Sequence, residues 1–169
     1  MDLQPLFETQ KKLDERIVKE KDLKGVDLLD KKILSLQVEL GELANELPEV
    51  FKFWSNKKNN YKKALEEYCD CLHFILSIGN EWSLSDMIFE DFKHRADNIT
   101  KQFNYVFYTV MSIDERIVCS DYDDIEECFG YLFSGFTELG EMLGFTWEQI
   151  ETAYYDKNKV NHERQNNGY

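Results

Sequence analysis

The sequence predicts an all-α fold, a helical bundle in which a four-helix core carries an ExxE helix and an ExxD helix. Three observations predict it. Apolar residues recur at three- and four-residue intervals along most of the chain, and no stretch shows the period-two alternation of a half-buried strand. Only 2 prolines and 8 glycines punctuate 169 residues, which favours long helices with few loops. An apolar share of 43%, with 12 Phe, 9 Tyr and 3 Trp, supplies a core, and the length suits one domain.

The first helix is expected from about Leu3 to Leu23. Asp2 serves as N-cap, Pro5 is tolerated in the first turn, Leu6, Leu13 and Ile17 form the apolar stripe, and Lys24-Gly25 breaks it. The second runs from Asp27 to about Glu46, with Leu29, Ile33, Leu36, Leu40, Leu43 and Leu47 on one face and Pro48 at its end. Phe51-Lys52-Phe53-Trp54 reads as a short aromatic turn or helical piece, followed by the polar loop 55–60. The third long helix spans about Tyr61 to Glu81. Ser83-Leu84-Ser85-Asp86 looks like a capping box for a fourth segment, with Asp in place of the usual Glu. Helical periodicity continues through Phe92, Ile99, Phe103, Phe107, Val110, Met111 and Ile117, with a break near Arg95 to Ile99. Residues 120–124 begin another helix that reaches about Leu143, where Gly144 stops it. Thr146 caps a last helix from Trp147 to about Asn166.

A formal charge of −13 argues against a duplex nucleic-acid binder, which needs a basic face, but leaves a free nucleotide possible as ligand. The cysteines Cys69, Cys71, Cys119 and Cys128 show no CxxC zinc spacing and read as free thiols of a cytoplasmic protein. The first residues lack a basic, apolar, small-residue leader. No apolar run approaches the ~20 residues needed to span a membrane.

Two acidic pairs at helical spacing interrupt the apolar stripes: Glu39 and Glu42 in Glu39-Leu40-Gly41-Glu42, and Glu67 and Asp70 in Glu67-Tyr68-Cys69-Asp70. Residues three apart share a helix face. Two such helices packed side by side gather four carboxylates into a small volume, and buried carboxylates without partners are too costly to leave there. They need cations. An all-oxygen donor set suits Mg²⁺, which keeps waters that phosphates replace. Gly41 sits mid-helix, where glycine costs about 1 kcal/mol relative to alanine, so a close backbone approach is expected at that position. On the third long helix, Lys63, Glu66 or Glu67, Asp70, His73, Ser77 and Asn80 trace a polar stripe through an otherwise apolar surface. Such a stripe predicts a wet groove inside the bundle. Glu138-Leu139-Gly140-Glu141 repeats the first motif without a partner pair, and reads as structural or exposed.

Lys157, Asn161 and Arg164 fall on one face of the last helix at i, i+4 and i+7, with Lys159 nearby. That face fits phosphate oxygens, or else is a solvated helix end whose cations complement the dipole. Trp54, between the acidic helix and a polar loop, walls a base pocket or anchors packing. His73, one turn beyond Asp70, hydrogen-bonds a base or satisfies a core acceptor. A Ser-His-Asp order, a glycine-rich phosphate loop and a P-loop lysine are all missing, which argues against nucleophilic serine and P-loop mechanisms.

ExxE, residues 43–66, then ExxD resembles the all-α nucleoside triphosphate pyrophosphatase superfamily, which includes the MazG-type enzymes. Within it the chain most resembles the dimeric dUTPases, on residues 6–14, 39–46, Phe51 to Trp54, 67–74 and 155–169. The ExxE/ExxD pattern is shared across the superfamily; the Trp54 segment and the C-terminal block are more specific. The resemblance implies hydrolysis of dUTP, and of dUDP, to dUMP. It implies two or more Mg²⁺ ions held by Glu39, Glu42, Glu67 and Asp70. Gln10, Trp54, His73 and Asn80 would lie near the uracil or deoxyribose, Lys157, Asn161 and Arg164 near the phosphates, and Asn158 near either. It further implies a homodimer, a phage or bacterial source, and a catalytic core of about 1–82 plus 146–169. The variable helical insert, about 83–145, matches the family only loosely and is where a regulatory protein such as a repressor would bind.

The expected chemistry is attack of a metal-activated water, with Glu39 as its base. Three rival readings stand beside it. One is a related pyrophosphatase acting on dCTP or a non-standard nucleotide, against which Trp54 and the C-terminal block argue. Another is a helical interaction protein with a vestigial metal site, opposed by the presence of all four carboxylates. The third is a di-iron carboxylate bundle, which needs Glu-x-x-His pairs where this chain offers only Asp70-x-x-His73.

Overall fold

The computed structural model describes residues 3–87, 92–119 and 124–168. Its elements are α1 (Gln4–Glu20), α2 (Leu29–Glu46), the single-turn α3 (Pro48–Phe51), α4 (Tyr61–Glu81), a 3₁₀ turn (Leu84–Asp86), α5 (Ile99–Val118), α6 (Ile125–Met142) and α7 (Trp147–Asn166). No strand occurs among the described residues, so the chain is an all-α helical bundle.

Helix α4 lies at the centre. It packs against α2 along its length and also touches α1, α7 and α6. That position explains its sequence: Ala64, Tyr68, Cys69, Leu72, Ile75, Leu76 and Ile78 are all buried, on more than one face, as expected of a helix surrounded by others. Helices α5 and α6 pack as a pair, α5 leaning on α2 and α6 on α4. The Tyr68 ring stacks on Phe136 at 4.1 Å, and its hydroxyl donates to the Phe136 carbonyl at 3.0 Å. Each such buried aromatic contributes about 1.5–3 kcal/mol through the surface it removes from water.

Several ends differ from expectation. Helix α1 stops at Glu20 rather than Leu23. Asp22 takes the left-handed conformation (φ 54°), and Leu23 N–H bonds back to the Val18 carbonyl at 2.9 Å. This is the reciprocal C-terminal closure usually made by glycine, and an aspartate in that place hides it from sequence. At the end of α6 glycine does fill it: Gly144 has φ 82°, and Phe145 N–H reaches the Gly140 carbonyl at 3.0 Å. Ser83 forms no capping bond; it is itself left-handed (φ 57°) and leads only into the 3₁₀ turn. Regular helix resumes at Ile99, capped by Asn98, whose side chain accepts from Lys101 N–H at 2.9 Å. Pro48 ends α2 and also opens α3, where its missing N–H costs nothing. Thr146 and Gln149 form the complete capping box of α7. The expected cap at Asp2 and the helix start at residues 120–123 lie outside the described residues.

The two Glu-Leu-Gly-Glu motifs are opposites in packing. A Cβ on Gly41 would meet nothing within 4 Å, so the expected close backbone approach does not occur there within the chain. A Cβ on Gly140 would lie 2.6 Å from the Tyr68 hydroxyl, which its stacking and hydrogen bond hold in place. Gly41→Ala is therefore expected to stabilise the protein by up to about 1 kcal/mol through helix propensity, and Gly140→Ala to destabilise it by about 1–3 kcal/mol through overpacking. Chemical denaturation of the two variants checks both signs.

Candidate active site

Leu36, Leu40 and Leu43 seat α2 in the core, and the ridge beside them carries Glu39. Tyr68, Cys69 and Leu72 do the same for Glu67 and Asp70 on α4. Because α2 and α4 pack side by side, carboxylate oxygens of Glu39, Glu67 and Asp70 all lie within 4.8 Å of one another. Glu42 is exposed and falls outside that trio, though its charge acts on all three.

Electrostatics register the crowding. Burial, reinforced by repulsion from Asp70, Glu42 and Glu67, pushes the Glu39 carboxyl up to about 7. Burial and the Asp70 and Glu42 charges also raise Glu67. Burial raises Asp70, opposed by a hydrogen bond from Lys157, which reaches across from α7 to Asp70 Oδ2. Three hard oxygen donors in mutual repulsion, with one ammonium beside them, are a set that could hold a divalent metal ion.

A pocket of about 410 Å³ opens beside the acids, lined from α1, α2, α4 and α7. Its walls include Gln10, Asp14, Lys31, Lys32, Ser35, Glu39, Asp70, His73, Phe74, Ser77, Asn161 and Arg164. The volume suits a small-molecule ligand.

The polar stripe of α4 faces α1. His73 Nδ1 lies 2.6 Å from Gln10 Oε1, Ser77 Oγ donates to Asp14 Oδ2 at 2.7 Å, and Asn80 Nδ2 donates to the Phe7 carbonyl at 3.1 Å. The His73 ring stacks on Tyr154 of α7 at 4.3 Å. Burial, aided by the Lys157 charge, pushes His73 down to about 3, so the imidazole is neutral. Among the described residues, two buried side-chain polar atoms have no partner: His73 Nε2 and Asn158 Nδ2.

The structure thus brings Glu39, Asp70, Gln10, His73, Asn161 and Arg164 to one cavity, with Glu67 beside its two acids, Lys157 bonded to Asp70 and Asn158 buried on α7 outside the lining. Asn80 is engaged with the α1 backbone outside the lining. Trp54 does not reach the pocket: it is 67% exposed, with Phe51 and Phe53 edge-on to its ring. Asp14, Lys31, Lys32 and Ser35 were not assigned from sequence. Gln10 and Asp14 stand at i and i+4 beside Leu6 and Leu13, a polar pair on a core-facing stripe that could have marked them. The Lys31-Lys32 doublet near the start of α2 is one of four Lys-Lys doublets in the chain, so nothing in the sequence singles it out. Glu138 and Glu141 are structural, both held by Arg95 Nη1 at 3.1 and 3.3 Å.

An all-α bundle with acids on adjacent helices beside a polar pocket of about 410 Å³ is compatible with a nucleotide-hydrolysing enzyme. A family model described as dUTPase matches residues 2–169, effectively the whole chain. The chain belongs to this dUTPase family and is a dUTP diphosphatase, an enzyme that hydrolyses dUTP. Comparison with curated proteins returned no match. None of the described helices is long and apolar enough to cross a membrane.

The raised Glu39 carboxyl yields a signed expectation. Unfolded, it ionises near 4.5; folded, near 7. Between those values the folded chain holds a proton that the unfolded chain lacks, so stability from this group falls as pH rises through the window and stays lost above it. In metal-free protein, Glu39→Gln should therefore add stability on the order of 1 kcal/mol near pH 8, discounted for partial exposure, and almost none near pH 5. Thermal melts at both pH values check it.

Proposed function

We propose that dUTP is hydrolysed to dUMP and pyrophosphate in the α1–α2–α4–α7 pocket, with dUDP as a second substrate, and that Mg²⁺ ions, two or more, are held by Glu39, Glu67 and Asp70 with Glu42 at the rim. The observation that carries this reading is the trio of mutually repelling carboxylates beside a nucleotide-sized cavity. Mg²⁺ bound there supplies charge neutralisation for the phosphates and a water of lowered pKa. Glu39, with its carboxyl near 7, is matched to accept a proton from the attacking water at neutral pH. Lys157 and Arg164 bind phosphate oxygens, and Lys157 already reaches the acids through its bond to Asp70. Asn161 lines the same wall.

Base recognition falls to Gln10, His73 and Asn158. The unpartnered acceptor on His73 and the unpartnered donor on Asn158 complement the N–H and C=O of an imide edge. Trp54 and Asn80 complete the proposed substrate set, and like Asn158 they lie outside the cavity lining of one chain.

The catalytic core is proposed as about 1–82 plus 146–169, with about 83–145 as an insert open to a regulatory protein. A homodimer is supported by apolar side chains left exposed on α2 and α5, namely Leu34, Val38 and Met111, and by the Phe51, Phe53 and Trp54 cluster. A cytoplasmic enzyme is consistent with the free cysteines, and a phage or bacterial source is proposed on the family resemblance alone.

The test is pyrophosphate release from dUTP, dTTP, dCTP and UTP in parallel, with and without Mg²⁺. Turnover of dUTP should dominate and vanish on chelation; preference for dCTP or dTTP would sink the base assignment. Glu39→Gln and Asp70→Asn should each lower kcat by about 10²-fold or more while circular dichroism stays unchanged, and a fully active Glu39→Gln enzyme would remove that residue from the mechanism.

A further inference from the structure

The cavity wall contains a chain of hydrogen bonds whose polarity is determined from one end to the other. It starts at Asp14, a residue of α1 with no role in the chemistry above. The carboxylate accepts at both oxygens, from Gln10 Nε2 at 2.8 Å and from Ser77 Oγ at 2.7 Å, while Lys32 Nζ stands 4.0 Å from Oδ2. An ionised carboxylate only accepts, so Gln10 must turn its NH₂ towards Asp14. Its carbonyl oxygen then faces α4 and α7. There it receives the Tyr154 hydroxyl at 3.2 Å and meets His73 Nδ1 at 2.6 Å. An amide oxygen also only accepts, so the proton of the neutral imidazole must be on Nδ1. Nε2 is left with a lone pair. That atom is buried and has no partner in the protein, and stacking on Tyr154 at 4.3 Å, with ring planes 25° apart, holds the ring in place. A buried acceptor without a donor costs about 1–3 kcal/mol, which a ligand N–H would relieve.

We infer that Asp14 is a positioning residue that, through Gln10, fixes His73 as the Nδ1–H tautomer, so that the pocket presents an acceptor at Nε2 and selects a base bearing a ring N–H over one bearing a lone pair there. Uracil carries such an N–H at N3; cytosine carries a lone pair at the same atom. The inference rests on the reading of this cavity as the base site. It goes beyond that reading in naming the atom that discriminates and the residue that sets its polarity. Replacing Asp14 by Asn offers Gln10 a donor. Gln10 can then reverse its amide, present NH₂ to His73, and drive the imidazole to the opposite tautomer, with its N–H at Nε2.

The test uses the full-length protein with ¹⁵N-labelled histidine. The chain has 3 histidines, and His94→Gln and His162→Gln variants assign the signals by elimination. In the wild type, long-range ¹H–¹⁵N spectra should show His73 protonated at Nδ1. Addition of dUMP should move the Nε2 resonance, and dCMP should not. Asp14→Asn should shift the ring towards the Nε2–H tautomer and reduce the preference for dUMP over dCMP by at least about tenfold in calorimetric titrations, with affinity for inorganic pyrophosphate unchanged. Wild-type His73 found with its proton on Nε2, or an Nε2 resonance indifferent to dUMP, would overturn the inference even if the variant fails to fold. A changed tautomer with unchanged base preference would overturn it too. A wild type that binds dUMP and dCMP equally, with His73 still protonated at Nδ1, would instead locate the failure in the base-site reading.

Discussion

Carboxylate oxygens from Glu39, Glu67 and Asp70 are held within 4.8 Å of one another by two helices that have no electrostatic reason to approach. What holds them is apolar burial beneath: Leu36, Leu40 and Leu43 on one helix, Tyr68, Cys69 and Leu72 on the other, all essentially inaccessible to water. At about 25 cal/mol per Å² of buried apolar surface, a handful of such side chains outweighs the repulsion of a half-exposed acid trio. The repulsion therefore persists in the folded chain as a raised Glu39 carboxyl. Lys157 answers part of it from α7, which ties the last helix of the chain to the second acidic pair.

The second Glu-Leu-Gly-Glu segment shows how far neighbours alone decide function. Glu138 and Glu141 share the spacing of Glu39 and Glu42. Their environment supplies an arginine, and the pair becomes a structural anchor. The glycines invert as well: Gly140 admits the Tyr68 phenol, whereas Gly41 faces open space. A four-residue motif on a helix fixes which side chains share a face, but the charge that meets that face comes from elsewhere in the chain.

On the other side of the pocket, burial constrains polarity rather than charge. Gln10, Asp14, His73, Ser77 and Tyr154 come from three helices, and each donor among them meets an acceptor. In a low-dielectric wall such a network has few alternative arrangements, because reversing one amide leaves another group unsatisfied. The acid trio and the hydrogen-bonded polar wall, in which His73 Nε2 is left without a partner, thus give the cavity two chemically different sides. Arg16 reinforces this geometry from α1, donating to the His162 carbonyl at 3.1 Å and to Asn166 Oδ1 at 2.6 Å on α7.

Local periodicity and capping chemistry act within a few residues, so the sequence by itself determined the helical class, the limits of α4, the Thr146 cap and the two acidic pairs as facing candidates. It did not reveal that α1 ends on a left-handed Asp22, because only glycine advertises that conformation, nor that Ser83 leads merely into a 3₁₀ turn. Tertiary structure decided the matters that depend on which faces meet. Three of the four acids come within ligand distance of one another because Glu42 lies on the exposed flank of α2. Asn80 turns to the α1 backbone because the packing of α4 on α1 sets its part-buried amide 3.1 Å from the Phe7 carbonyl. Gln10 bonds to Asp14 and His73 because α1 and α4 bring them to one wall. Trp54 stays in solvent with Phe51 and Phe53 because no helix of the same chain covers that loop. Side chains acquire partners only when distant segments pack, and spacing along the chain carries no record of that.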